Sequence, residues 1–451
     1  MYKVGSRCHI CTGCGRCFGE RDGIHVITGS GLNENSHSEL LPVDACRKNC
    51  NISCNSPEKT IAVDIGTTTI AMVLYDGQGQ EEDCFVTVNP QVKYGADVLS
   101  RIQAAGKPEM AEDMKREVRE VLAKGIRQFR EKQNGVQSVD VPCGEVQDAS
   151  TQYALAGNTE FYMIIGANTT MVYLLLGLDS AELGRAPFHA SHLAMQEITI
   201  EGVKGTIFPG LSAFVGADIL AGIYACGMAE KEEITLLIDL GTNGEMAIGS
   251  SKGIIACSTA AGPAFEGGAT KGVWGADMVH LVAELLRAGI LDETGLMEEE
   301  YFEQGILIGS TLITQKSIRD LQLAKAAIAA GIRILAEAYG LDSMGQIDRV
   351  VLAGGFGYYL QASDAAQIGL LPTQLVSKVI SGGNTVLAGI RKFVLAGQRE
   401  ADREAAGRED AYRKEADGQL GKILKMTKVI NLAEQDGFQD KYIEAMDLKM
   451  W

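Results

Sequence analysis

The chain has 451 residues, 46% hydrophobic and 22% charged, an ordinary globular composition spread over more length than one small domain needs. Its 58 acidic and 41 basic residues leave a net charge of −17, which excludes the electropositive footprint of a nucleic-acid binder and makes an anionic membrane a poor partner. No apolar run is long enough to span a bilayer, and residues 1–16 are polar and cysteine-rich where a secretory leader is apolar, so a cytoplasmic protein is expected.

Taken in chain order, the first 57 residues hold seven of the eleven cysteines. In a reducing compartment such a cluster signals metal or redox chemistry, whereas the scattered Cys84, Cys143, Cys226 and Cys257 read as small buried apolar residues. Cys8, Cys11, Cys14 and Cys17 place four thiols at two-residue intervals, and Cys46, Cys50 and Cys54 add three more at three-residue intervals. Structural zinc usually draws on two separated pairs. An evenly spaced run is closer to the bacterial ferredoxin pattern, from which it departs by one residue before the fourth cysteine and by lacking the following proline. The segment predicts at least one [4Fe–4S] cluster, or two if His9, His25 or Asp44 supplies an eighth ligand. Zinc, or a helical stripe of buried thiols, is the alternative.

Residues 60–77 read as two short β-rich runs around Asp64-Ile65-Gly66-Thr67-Thr68-Thr69, closed by the turn Asp76-Gly77. A helix over 111–130 carries charge on most faces and a thin apolar stripe, which predicts a solvent-facing element. The strand–turn–strand grammar then recurs at 234–249 around Asp239-Leu240-Gly241-Thr242-Asn243-Gly244-Glu245. The copies are too far apart for a solenoid and suit two homologous α/β lobes. A helix over 317–339 shows Ile318, Leu321, Ile328, Ile332 and Leu335 at helical spacing and stops at Gly340. Residues 350–357 read as a buried strand running into a Gly354-Gly355 turn, 397–418 as a charged helix, and 429–446 as an amphipathic return to the body. The expected units are a cysteine segment (1–57), lobe I (58–230), lobe II (231–395) and docking C-terminal helices (396–451).

A phosphate needs converging backbone N–H groups and little side-chain bulk, which a glycine turn after a strand supplies. Gly66, Thr67, Thr68 and Thr69 form one such candidate cradle, and Gly241, Thr242, Asn243, Gly244 and Glu245 the other. Asp64 and Asp239, at the strand ends, are candidates to hold Mg²⁺ through water, and Gly354 and Gly355 leave room for an adenosine. A single such turn is commonplace; two corresponding copies and a third glycine turn are not. The three elements resemble the phosphate-1, phosphate-2 and adenosine motifs of the acetate and sugar kinase, heat-shock ATPase and actin superfamily. That resemblance implies the twin-lobed actin-like α/β fold, ATP as ligand, and a polar residue orienting water from the helix before the second turn. Asp218, in Val215-Gly216-Ala217-Asp218, is the candidate, with helix capping as its alternative.

More specifically, the chain resembles the reductive activators of corrinoid enzymes. The residues that carry this are Asn89-Pro90-Gln91, Tyr94-Gly95-Ala96-Asp97, Asp239-Leu240-Gly241-Thr242-Asn243-Gly244-Glu245, Ala256-Cys257-Ser258-Thr259, Gln322-Leu323-Ala324-Lys325, Leu352-Ala353-Gly354-Gly355 and Glu444-Ala445-Met446. Typical members begin with a plant-type [2Fe–2S] ferredoxin and a long linker, where this chain has its short seven-cysteine segment. The resemblance implies ATP-dependent reduction of cob(II)alamin to cob(I)alamin on the corrinoid protein of a methyltransferase system, an external low-potential electron donor, and a homodimer. Two other readings stand beside it: an ATP-driven donor to another low-potential metalloenzyme, as in dehydratase activators, and a non-enzymatic zinc-stabilised nucleotide-binding regulator. Cys257 lacks a histidine within sequence reach and reads as a packed residue at the lobe interface.

Overall fold

A computed structural model describes residues 59–133, 161–241, 243–262, 265, 275–308, 311–404, 412 and 414–451. The cysteine segment and Thr242 lie outside the described residues. Lobe I opens with β1 (Lys59–Ile65), β2 (Thr69–Tyr75) and β3 (Glu81–Val88), an antiparallel meander, followed by α1 (Val98–Ala105) and α2 (Pro108–Gln133). It continues with β4 (Phe161–Ala167), α3 (Thr169–Leu176), β5 (Gln196–Ile200), β6 (Val203–Ile207) and α4 (Ala217–Cys226). The sheet order is β3-β2-β1-β4-β6-β5, with β4 parallel to β1 and to β6.

Lobe II repeats the plan. A second meander, β7 (Thr235–Leu240), β8 (Gly244–Ser250) and β9 (Gly253–Thr259), leads to α5 (Gly275–Arg287) and α6 (Glu299–Phe302). The ribbon β10 (Ile306–Ile308) and β11 (Thr311–Ile313) precedes the long helix α7 (Gln315–Tyr339). After β12 (Arg349–Ala353), α8 (Gly354–Tyr359), α9 (Ala362–Gln367), β13 (Val379–Gly383) and α10 (Thr385–Glu404), the short strand β14 (Thr427–Val429) completes the sheet in the order β13-β12-β7-β8-β9-β14. In each lobe the meander's first strand pairs in parallel with a later strand, β1 with β4 and β7 with β12. The twin-lobed actin-like α/β architecture expected from the repeated motif is therefore present.

Among the described residues, three large cores hold the body together. The outer face of sheet I packs on α2 and α3, and that of sheet II on α5, α7 and α9. Between the sheets lies a third core built on α4 and α10, in which Ala62 and Ile164 of lobe I meet Leu237 and Val351 of lobe II. The two helices cross where each carries small residues: a Cβ on Gly389 would stand 2.2 Å from Ala221 O.

Several elements differ from the sequence expectation. The apolar stripe of α2, with Met114, Val118, Leu122, Ile126 and Phe129, is wholly buried, so the helix covers sheet I and is not merely solvent-facing. A stripe one residue wide suffices because the sheet presents a flat apolar partner. Of the charged helix expected at 397–418, residues 397–404 form the end of α10, which starts upstream at Thr385, and 416–418 open a short π-helical turn, Ala416–Leu420; residues 405–411 and 413 lie outside the described residues. The 429–446 return is a strand end, a turn and a short helix, Phe438–Glu444. It docks on α7, where Gln322 and Lys325 donate to the carbonyls of Met446 and Asp447. Helix α7 itself matches its expected stripe and stop, with Thr314 as N-cap and Gly340 in the left-handed region. Cys257 is fully buried in the outer core of lobe II and not at the lobe interface; burial pushes its thiol up, which suits packing rather than nucleophilic use. No described helix is long and apolar enough to cross a membrane.

Candidate functional site

The first turn sits at the end of β1. Gly66 N–H donates to Thr69 O at 2.9 Å, and a Cβ on Gly66 would press on that same oxygen at 3.0 Å, so a side chain there would have to push the turn open by a few tenths of an ångström. Its carbonyls are taken up from behind: Asn89 Nδ2 donates to Gly66 O and Asn89 N to Thr68 O, both at 2.8 Å. Asn168 Nδ2 reaches Thr67 Oγ1 at 3.1 Å, and Asn384 Nδ2 reaches Asp64 Oδ2 at 2.7 Å. Each asparagine also accepts a helix N-terminal N–H through Oδ1, from Gln91 at 3.0 Å, Met171 at 2.9 Å and Leu387 at 2.9 Å. Asparagine alone among the good caps has an acceptor for the helix and a separate NH₂ for the turn.

The second turn follows β7. Gly241 N–H donates to Asn243 O at 3.0 Å. A Cβ on Gly244 would stand 2.0 Å from Ile328 Cδ1, so a side chain at that position would have to displace the end of the Ile328 side chain of α7. Glu245 is buried on β8, opposite Asp239 in the strand register. The third glycine element is the first turn of α8 and not an open loop. Gly354 has φ +75°, and its Cβ would meet Asp239 Oδ1 at 2.8 Å; Gly355 is exposed.

These elements bring Asp64, Asp218, Asp239 and Glu245 into electrostatic reach of one another. Each aspartate is half-buried, yet the surrounding protein strips enough water for desolvation to dominate. Burial, opposed by the Asn384 hydrogen bond and aided by Asp239 and Asp218, raises Asp64 to about 7. Burial and then Asp218 raise Asp239 to about 7. Burial raises Asp218 to about 6 against the backbone N–H groups of Ile219, Asp218 and Gly216. Glu245 is pushed well up by burial and by the three aspartates. Asp218 lies in the first turn of α4, where its Oδ1 accepts from Ile219 N at 2.8 Å; the cap itself is Gly216. Gly216 packs so closely that a Cβ would stand 2.6 Å from Asn168 Cα, so α3 and α4 begin side by side.

Buried acids whose main electrostatic neighbours are other acids suit a divalent cation, and the glycine turns suit the phosphates that accompany it. Among the described residues no group of three or more His, Cys, Asp or Glu could hold a metal ion directly. A hydrated Mg²⁺, which keeps several waters and takes phosphate oxygens, fits this arrangement better than a caged bare ion. Asn168 and Asn384 were not singled out by sequence reasoning, and Asn89 only as part of a family motif. The available signal was an asparagine directly before an apolar helical run, as in Asn168-Thr169-Thr170-Met171 and Asn384-Thr385-Val386-Leu387.

Comparison with known proteins matches residues 59–231 to the family described as RACo middle region. Residues 233–272 and 268–450 match the one described as the C-terminal domain of RACo, the ASKHA domain. The corrinoid activation enzyme RamQ of Eubacterium limosum is 29% identical, over 87% of this chain and 71% of its own. The [Co(II) methylated amine-specific corrinoid protein] reductase of Methanosarcina barkeri is 25% identical, over 76% of this chain and 71% of its own. The solved structure of a reductive activator for corrinoid, iron–sulfur protein superimposes with a TM-score of 0.70 at 28% identity, covering 88% of this chain and 67% of that one.

Proposed function

The chain belongs to the RACo family of reductive activators, and from that premise we propose that it is the ATP-dependent enzyme that returns the corrinoid protein of a methyltransferase system from cob(II)alamin to cob(I)alamin. The observation that carries this reading is the convergence of Asp64, Asp218, Asp239 and Glu245 with two glycine turns between the lobes. In this reading Asp64 and Asp239 hold hydrated Mg²⁺, the backbone at Gly66–Thr69 and Gly241–Glu245 cradles the phosphates, Asp218 orients the attacking water, and Gly354 and Gly355 bed the adenosine. Cys8, Cys11, Cys14, Cys17, Cys46, Cys50 and Cys54 hold one or two [4Fe–4S] clusters, whose one-electron chemistry supplies the reductant after loading by an external low-potential donor.

The energetic requirement is simple. One electron moves onto the partner's cobalt, and each step of about 59 mV uphill costs a factor of ten in equilibrium, about 1.4 kcal/mol. ATP helps only if it favours a state of the complex in which the acceptor is easier to reduce. Sheets I and II share the α4–α10 core; in this reading, closure of the lobes on ATP about that core changes how the body grips the corrinoid partner.

Protein purified without oxygen should contain iron and sulfide and bind Mg-ATP. Asp239→Ala should abolish ATP turnover and leave the iron content unchanged. Zinc in place of iron would favour the regulator reading, and loss of iron together with turnover would assign Asp239 to folding.

A further inference from the structure

Asn384 arrives from lobe II and ends in lobe I. Strand β13 stops at Gly383, whose φ of +57° turns the chain into α10, and the Asn384 side chain then reaches Asp64, 320 residues away in sequence. Helix α10 does not need this contact to stay on sheet I. Its first turn already packs so tightly that a Cβ on Gly166, the β4 neighbour of Asp64, would meet Val386 Cγ1 at 2.4 Å. Its second turn is pinned to α4 at Gly389 and Ala221. Capping does not require asparagine either, because serine or aspartate caps a helix as well. What only the amide provides is a donor for Asp64 Oδ2 on the same side chain that caps the helix.

We propose that Asn384 is a positioning residue for the nucleotide site, locking the Asp64 carboxylate to the N-terminus of α10 so that Oδ1 stays aimed at the cation. This rests on the reading of the cleft as a Mg-ATP site. It adds that the acid of lobe I and the helix crossing between the lobes form one unit. Without the amide the carboxylate would be free to turn about its side-chain bonds and would offer Mg²⁺ no fixed oxygen, while the fold would keep its cap.

The test is calorimetric titration of the full chain, as wild type, Asn384→Ser and Asn384→Asp, with a non-hydrolysable ATP analogue in Mg²⁺ and in EDTA. Thermal unfolding of the nucleotide-free proteins accompanies it. Both substitutions keep a capping oxygen; Asn384→Ser should unfold within about 3 °C of wild type, whereas Asn384→Asp sets a second carboxylate against Asp64 and should unfold lower. Binding in EDTA should match wild type, while the gain in affinity that Mg²⁺ confers should fall roughly tenfold or more, the scale of one hydrogen bond to a charged group. Asn384→Asp should lose more than Asn384→Ser because it adds a further carboxylate to the cleft. If aspartate prevents folding, the serine result decides. An unchanged Mg²⁺ gain in the folded variants overturns the assignment and leaves the nucleotide reading standing. Losses that are equal with and without Mg²⁺ and follow a lowered unfolding temperature assign Asn384 to folding and overturn it too. A wild-type chain that does not bind the analogue overturns both readings.

Discussion

Gly354 and Asp239 are neighbours across lobe II: β12 runs parallel to β7 and sets Ala353 beside Asp239, so that a side chain on Gly354 would stand 2.8 Å from Asp239 Oδ1. The glycine is thus required by the acid as well as by its φ of +75°.

Gly354→Ala should therefore act twice. The left-handed backbone costs about 1–2 kcal/mol in denaturant unfolding, and displacement of Asp239 should lower ATP turnover at least about tenfold. Gly355→Ala, at an exposed position in the same turn, should leave stability within about 0.5 kcal/mol. Equal turnover losses in the two variants would point to the adenosine contact and not to Asp239.

The raised acids make the nucleotide-free protein sensitive to pH. Asp239 binds its proton more tightly folded, at about 7, than unfolded, at 3.8. Its ionisation therefore weakens the fold progressively as pH rises from about 4 to about 7, and the full loss is present above 7. Asp239→Asn should stabilise the nucleotide-free chain at pH 8 by on the order of 1–2 kcal/mol, an advantage that shrinks toward pH 5. Urea unfolding at the two pH values measures this; a pH-independent effect would show that Asp239 is not held against its hydration.

The α4–α10 crossing leaves no space at Gly389. Gly389→Ala places a methyl group against Ala221 O and should cost about 1–3 kcal/mol by overpacking. Because both sheets meet in this core, the unfolding transition should shift as a whole. A separate early transition of one lobe would show that the lobes fold independently.

Much of the fold was legible because its determinants are local. The two strand–turn–strand units show as Asp-x-Gly-Thr at the end of β-rich runs, and α7 shows as a stripe with Thr314 before it and Gly340 after it. Asp64 and Asp239 could be picked out by the same repetition, since both are the next-to-last residue of the first strand of their lobe. What was not legible depends on distant partners. Nothing near Asn384 announces Asp64, and Gly244 looks like a phosphate glycine until Ile328 of α7 is seen against it. Strand β14 is three residues long and exists because β9 offers it an edge. The covering role of α2 is likewise set by sheet I and not by its own charged sequence.

The most direct test of the central claim mixes the anaerobically purified chain and an external low-potential reductant with a corrinoid protein held as cob(II)alamin, and follows the cob(I)alamin absorption with and without Mg-ATP. The account predicts cob(I)alamin only when Mg-ATP is present, and none with Asp239→Ala. Equal reduction with and without ATP would contradict it.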